Sequence, residues 1–103
     1  MGELPRHKLS DAELQEALKS LPGWKAEKDK LHREYKFDDF IKAWGFMASV
    51  ALVAESMSHH PEWSNVYNKV VFDLWTHTHN SITNLDLDLG KKIEELAQRA
   101  QAR

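Results

Sequence analysis

The longest apolar run, Trp44 to Ala54, is eleven residues long, includes Ser49 and is bounded by Lys42 and Glu55. A bilayer span needs about 20 residues, so the run reads as part of a buried helix. We place that helix from about Asp39 to Ser58, with Asp38 as its N-cap. Phe40, Trp44, Met47, Ala48, Ala51 and Leu52 line one face, and Ile41, Gly45, Phe46, Val50, Val53 and Met57 much of another. A helix apolar on two faces is buried on both. In a chain of 103 residues one side covers a sheet, and the other is expected against a second subunit. The plainer alternative is a helix sandwiched within its own domain.

The flanking segments are short and clearly bounded. Ser10-Asp11-Ala12-Glu13 has the S-x-x-E capping box, Leu9 and Leu14 sit at the staple positions, and Leu14, Ala17, Leu18 and Leu21 form a stripe stopped by Pro22-Gly23. Trp24 to Phe37 reads as a hairpin with a Glu27-Lys28-Asp29-Lys30 tip. A second hairpin is expected from Trp63–Tyr67 and Val70–His77 around an Asn68-Lys69 tip, since Asn tolerates left-handed turn geometry. On its second strand Val70, Phe72 and Leu74 share one face, and Val71, Asp73, Trp75 and His77 the other. A last helix begins at Thr83, where Thr83-Asn84-Leu85-Asp86 resembles a capping box. Leu85, Leu89, Ile93, Leu96, Ala97 and Ala100 make its stripe. The order helix, hairpin, helix, hairpin, helix predicts an α+β sandwich. Residues 9–103 read as one domain behind a flexible N-terminal segment, 1–8.

Composition narrows the chemistry. Fourteen Lys plus Arg against sixteen Asp plus Glu offer no broad grip on nucleic acid or an anionic membrane. The absence of cysteine excludes disulfides, a thiolate nucleophile, Fe–S clusters and Cys-ligated zinc. The N-terminus lacks the apolar stretch of a signal peptide, and Glu3 and Arg6 do not suit myristoylation of Gly2. A cytoplasmic protein is the expectation. Six histidines remain, at 7, 32, 59, 60, 77 and 79, so chemistry is expected to run through imidazole.

Glu55 and His59 are four apart and are expected to pair on one helix face, with His59 in the last turn before Pro61. A carboxylate and a helix C-terminus both favour imidazolium, which suits a proton donor. His60 points elsewhere, and His77 ends a strand that the fold can bring to the same place. Imidazoles in different environments are what paired acid and base work needs. Plainer readings stand beside these: a simple helix pair for Glu55–His59, surface roles for His60 and His77, core or interface packing for Trp63, Tyr67 and Trp75, and an N-terminal helix acid for Asp86. His7 and His32 have no partners in view. A three-histidine metal site drawn from His59, His60, His77 and His79 is a third alternative, without a standard zinc spacing.

The stretch E-x-x-x-H-H-P-E-W-x-N-V-Y-N-K-V from Glu55 to Val70, the T-H at Thr76-His77 and Asp86 closely resemble the pterin-4a-carbinolamine dehydratases. The L-P-G-W segment at Leu21 and F-x-x-A-W-G-F-M at Phe40 extend the resemblance over most of the chain. It implies a four-stranded antiparallel sheet with three helices packed on one face, in the order α-β-β-α-β-β-α. It implies dehydration of 4a-hydroxytetrahydropterin to quinonoid dihydropterin, in tetrahydrobiopterin recycling, with no metal or organic cofactor. His59, His60 and His77 match the family's catalytic histidines, and Glu55, Trp63 and Asp86 match residues that line or support its pocket. On that basis His59 and His77 serve the acid side, while His60 helps bind the pterin and accepts the N5 proton.

One departure is Ser81, where the family often has Gly; Asn80 is then the candidate for a left-handed residue. The motif assigns His79 no role. Some members also serve as dimerisation cofactors of a homeodomain transcription factor, which would add a nuclear location. The implied partners are a small-molecule pterin and a homodimer or homotetramer with helix 39–58 at an interface. A protein partner on the same helix is the non-enzymatic alternative. Neither nucleic acid nor membrane is an expected direct partner.

Overall fold

In the computed structural model, which describes residues 6–103, Ser10 opens the first helix, α1 (Asp11–Leu18), with its capping box. Ser10 Oγ accepts from the Glu13 amide, and Glu13 Oε1 accepts from the Ser10 amide. The helix stops a turn short of Pro22. Backbone bonds from Lys19, Ser20 and Leu21 reach back only three residues, a tightened 3₁₀-type exit that tucks Leu21 into the core. Of the expected flexible segment, residues 1–5 lie outside the described residues. Lys8 pairs with Thr83 in an isolated bridge.

The first hairpin is β1 (Lys25–Glu27) and β2 (Lys30–Lys36), joined by Lys28 and Asp29, both left-handed at φ 53° and 59°. That pair of positive φ values matches the twist a two-residue hairpin needs. The second hairpin is β3 (Glu62–Val66) and β4 (Lys69–Leu74). Its tip is Tyr67-Asn68 and not Asn68-Lys69: Val66 pairs with Lys69, and Tyr67 takes the left-handed position at φ 52°. Asn68 is engaged elsewhere, its Nδ2 donating to Phe37 O and its carbonyl accepting from Phe37 N, both at 2.9 Å. Strand β4 ends at Leu74 and does not run to His77, because Thr76 N–H turns to Ser81 O and residues 77–80 form a turn. Asn80 supplies the left-handed residue there, at φ 49°.

The four strands form one antiparallel sheet in the order β1-β2-β4-β3. Leu31 faces Leu74, Tyr35 faces Val70 and Trp63 faces Phe72 across its registers. This puts Leu31, Tyr35, Val70, Phe72 and Leu74 on the buried face and His32, Glu34, Val71 and Asp73 on the other. The buried face meets α2 (Phe40–Met57) and α3 (Asn84–Arg99), which also pack on each other. Phe46 of α2 lies 5.4 Å from Tyr35, 4.9 Å from Phe37 and 5.9 Å from Phe72, ring centre to ring centre. Glu94 of α3 accepts from Trp24 Nε1 and Tyr35 Oη at the edge of this aromatic cluster.

The N-cap of α2 is Asp39, not Asp38. Asp39 is extended and its Oδ1 accepts from Lys42 N at 2.8 Å, while Asp38 turns outward to Lys42 Nζ and Arg103. By length and mean hydropathy, 1.3, α2 resembles a membrane span, but Ala43, Phe46, Val50 and Ala54 are packed in the core. The opposite stripe is open within the chain. Ile41 is 80% exposed, Leu52 76%, Trp44 58% and Phe40 47%. Ile41 thus belongs to the open face and not to the core-facing set.

Candidate active site

The site begins where α2 stops. Pro61 cannot continue a helix and disfavours helical geometry before it. Ser58 ends α2 in the left-handed region, φ 52° and ψ 37°, and His59 N–H closes the end by donating to Ala54 O at 3.1 Å. His59 therefore lies outside the helix, not in its last turn. The reversal splits the adjacent histidines. His59 turns inward and is 8% exposed, whereas His60 is exposed.

His59 Nε2 donates to Asp86 Oδ1 at 2.5 Å, an ion-pair geometry in which Asp86 is fully buried. The other oxygen, Oδ2, accepts from Thr83 N at 2.8 Å and Thr76 Oγ1 at 3.0 Å, and Thr83 Oγ1 lies 2.7 Å from Thr76 Oγ1. Asp86 is therefore both the capping-box acid of α3 and the partner of His59. Glu55 pairs with His60, not with His59, at 2.8 Å from Nε2. The left-handed Ser58 explains the exchange, because it carries His59 off the helical stripe that Glu55 occupies.

His77 reaches the same place from the turn after β4. Its imidazole stacks on the Trp75 indole, 3.9 Å between centres and 20° between planes. Together these segments wall a cleft of about 450 Å³ lined by Arg6, His59, His60, Glu62, Trp75 and His77, with Ser58, Pro61, Thr76 and Thr78 between them. The three histidines thus converge. Glu55 and Asp86 reach the cleft through His60 and His59. Trp63 does not line it; its ring packs on Phe72, 5.7 Å away, on the core side of the sheet. The carbonyl of Ser81, the departure from the family Gly, holds Thr76 N at 2.9 Å.

Several lining residues are not among the site candidates of the sequence, Arg6 and Glu62 among them, and Trp75 enters there only as a core or interface aromatic. Trp75 shares its alternation with His77, and that was the available signal. Arg6 is brought in by the bridge of Lys8 to Thr83 and by His7 N–H on Asn84 Oδ1, and its Nη1 donates to Thr78 Oγ1 at 3.2 Å. His79 lies in the exposed turn, with Nδ1 3.0 Å from Thr78 Oγ1. His7 is exposed, 3.8 Å from Glu13. His32, for which the sequence shows no partner, is bound at both nitrogens on the outer sheet face, by Asp73 at 2.7 Å and Glu34 at 3.1 Å. Burial opposes its charge, but the two carboxylates outweigh that and hold its pKa above the usual imidazole value. Among the described residues, no group of three His, Asp or Glu side chains converges as a metal-ligand set.

Residues 7–96 match the family model described as pterin 4 alpha carbinolamine dehydratase. A Solibacter usitatus protein named "Putative pterin-4-alpha-carbinolamine dehydratase" is 53% identical over 90 residues, 87% of this chain and 95% of that one. A Prochlorococcus marinus protein of the same name is 48% identical over 88 residues, 85% of this chain and 92% of the other. A Brucella melitensis crystal structure, described as a transcriptional coactivator/pterin dehydratase, superposes with a TM-score of 0.86 at 43% identity. It covers 88% of this chain and 99% of its own. With its fold, its histidine cleft and these matches in agreement, the chain belongs to the pterin 4 alpha carbinolamine dehydratase family.

Proposed function

We propose that the protein is a hydro-lyase that converts 4a-hydroxytetrahydropterin to quinonoid dihydropterin and water, in tetrahydrobiopterin recycling. The observation that carries this reading is the convergence of His59, His60 and His77 on one cleft, with Asp86 behind the first and Glu55 beside the second. The C4a hydroxyl takes a proton as its C–O bond breaks, N5 gives up a proton as the C4a=N5 bond forms, and water leaves. No electrons are gained or lost overall. His59 and His77 deliver the proton to the hydroxyl. His60 binds the pterin and accepts the N5 proton. His59 suits a fixed donor, since Asp86 holds Nε2 and leaves Nδ1 as the ring nitrogen for the cleft.

The test is dehydration of freshly generated carbinolamine by the purified chain, with the spontaneous rate subtracted. Alanine at each of the three histidines should lower the enzymatic rate. A wild-type rate equal to background would overturn the activity. Near-wild-type rates for the His59→Ala and His77→Ala variants would overturn the assignment of roles.

A second reading rests on the open stripe of α2, where Phe40, Ile41, Trp44 and Leu52 lie exposed. A contiguous apolar stripe of this kind suits an interface. We place a second copy of the chain there, as a homodimer or homotetramer. An external protein partner is the alternative, which the coactivator description of the Brucella structure favours. Mass in solution separates the two, since self-assembly would leave that face occupied.

A further inference from the structure

We infer that Trp75 is a positioning residue for His77, acting through the flat stack of its indole on the imidazole. The three cleft histidines are held in different ways. Asp86 fixes His59 and Glu55 fixes His60, each through a hydrogen bond to Nε2. Among the described residues no hydrogen bond or ion pair reaches a ring nitrogen of His77, and its one directional neighbour is Trp75, at 3.9 Å and 20°. A stack orients a ring without occupying its edge, so both His77 nitrogens stay available to a ligand in the cleft. A hydrogen-bonding partner would engage one of them.

The backbone makes Trp75 a firm platform. It sits between Leu74, paired with Leu31 in the sheet, and Thr76, whose N–H bonds Ser81 O and whose hydroxyl bonds Asp86. Lys30 Nζ lies over the same indole, 5.0 Å from the centre, and is itself held by Glu62 at 3.0 Å. His77 is exposed and opens the 77–80 turn, so without the stack its ring is free to rotate.

A second observation points the same way. Trp75 Nε1 is buried and has no hydrogen-bond partner. A buried donor without an acceptor costs stability. The indole is therefore not placed to satisfy its own polar atom, and the contacts its placement makes are the stack on His77 and the Lys30 ammonium over the ring. The functional half of this inference rests on the acid–base reading of His77; the geometric half does not.

The experiment uses the full chain with Trp75→Phe and Trp75→Leu. The indole ring current moves the His77 ring protons upfield in NMR spectra, and a His77→Gln variant assigns them. That displacement should shrink with Phe and vanish with Leu. On the carbinolamine, kcat should fall roughly tenfold in W75L, a larger change than any rise in KM from the loss of a lining ring, since a misplaced catalytic group slows chemistry, and W75F should restore part of the rate. Undisplaced His77 resonances in the wild type would overturn the stack. Loss of the displacement with an unchanged kcat would overturn the positioning role. An inactive wild type would overturn the acid–base reading and the role that rests on it, while the NMR arm still decides the stack. If W75L does not fold, W75F alone gives both readouts.

Discussion

His59 Nε2 meets Asp86 Oδ1 at 2.5 Å, which ties the turn after α2 to the first turn of α3 across 27 residues of sequence. The same carboxylate caps α3 through Thr83 N and receives Thr76 Oγ1. One side chain thus starts a helix, anchors the exit from β4 and holds a cleft histidine. Its removal would leave donors buried on three segments.

Asp86→Ala is therefore expected to cost about 3 kcal/mol of folding stability, the range for stranding buried partners of a carboxylate. Asp86→Asn, which keeps an acceptor for the cap, should cost less but lose comparable activity, because it no longer presents a carboxylate to His59. Urea denaturation and the dehydration assay read the two effects separately. A loss under about 1 kcal/mol for the alanine variant would show that the network does not support α3.

Glu55 and His60 are both exposed, so their 2.8 Å pair adds little to stability. Glu55→Gln should shift unfolding by no more than about 0.5 kcal/mol. If Glu55 orients His60, the same change should lower kcat several-fold. Unchanged activity with unchanged stability would make the pair a surface contact only.

What could be read from the sequence divides by range. The capping boxes at Ser10 and Thr83, the α3 stripe and the strand alternation are local patterns, and the structure keeps them. The positions of His59, His60 and His77 were legible as a motif. Their partners were not, because partners depend on how the chain turns. One left-handed residue, Ser58, moved Glu55 from His59 to His60 and gave His59 to an acid in another helix. Asp86 showed why a plain reading and a functional one need not exclude each other, since it is cap and partner at once. Tyr67 displaced Asn68 from the left-handed turn position because Asn68 was needed at Phe37, a contact 31 residues away. Arg6 carried no local signal, as the bridge between Lys8 and Thr83 is what brings it to the cleft.

His32 gives stability a pH dependence apart from the cleft. Its bonds to Asp73 and Glu34 outweigh burial and raise its pKa in the folded chain. The folded state therefore binds this proton more tightly than the unfolded state does. The contribution is full below the unfolded value of about 6.5 and is lost as pH rises through the higher folded value. Wild type should lose more stability than His32→Gln between about pH 6 and pH 8. Urea midpoints at several pH values test this, and parallel curves for the two proteins would refute it.

The open stripe of α2 makes a prediction about mass. If a second copy covers it, Ile41→Asp and Leu52→Asp should each convert an assembly to monomer, since either would place a charge against apolar surface. Both residues are exposed within one chain, so far-UV circular dichroism should not change. Light scattering on size-exclusion fractions gives the mass directly. A wild-type protein that is already monomeric at tens of micromolar would leave the stripe to another partner.

The division of labour proposed for the histidines predicts the shape of the pH–rate profile. On the proposed mechanism one imidazole protonates the hydroxyl as it leaves and another accepts the N5 proton. If so, acid loads the acceptor and base empties the donor, so the rate above background should fall on both sides of an optimum. With three imidazoles on one cleft, the limbs belong to the set and not to single residues. The variants still sort them. His60→Ala, which removes the proposed acceptor, should flatten the acid limb, while His59→Ala and His77→Ala should erode the alkaline limb. Rates measured at low substrate report the free protein, so a shift of both limbs at saturation would show the pterin itself altering the set. A profile that stays flat across the imidazole range would refute paired acid–base transfer and leave these histidines a binding role.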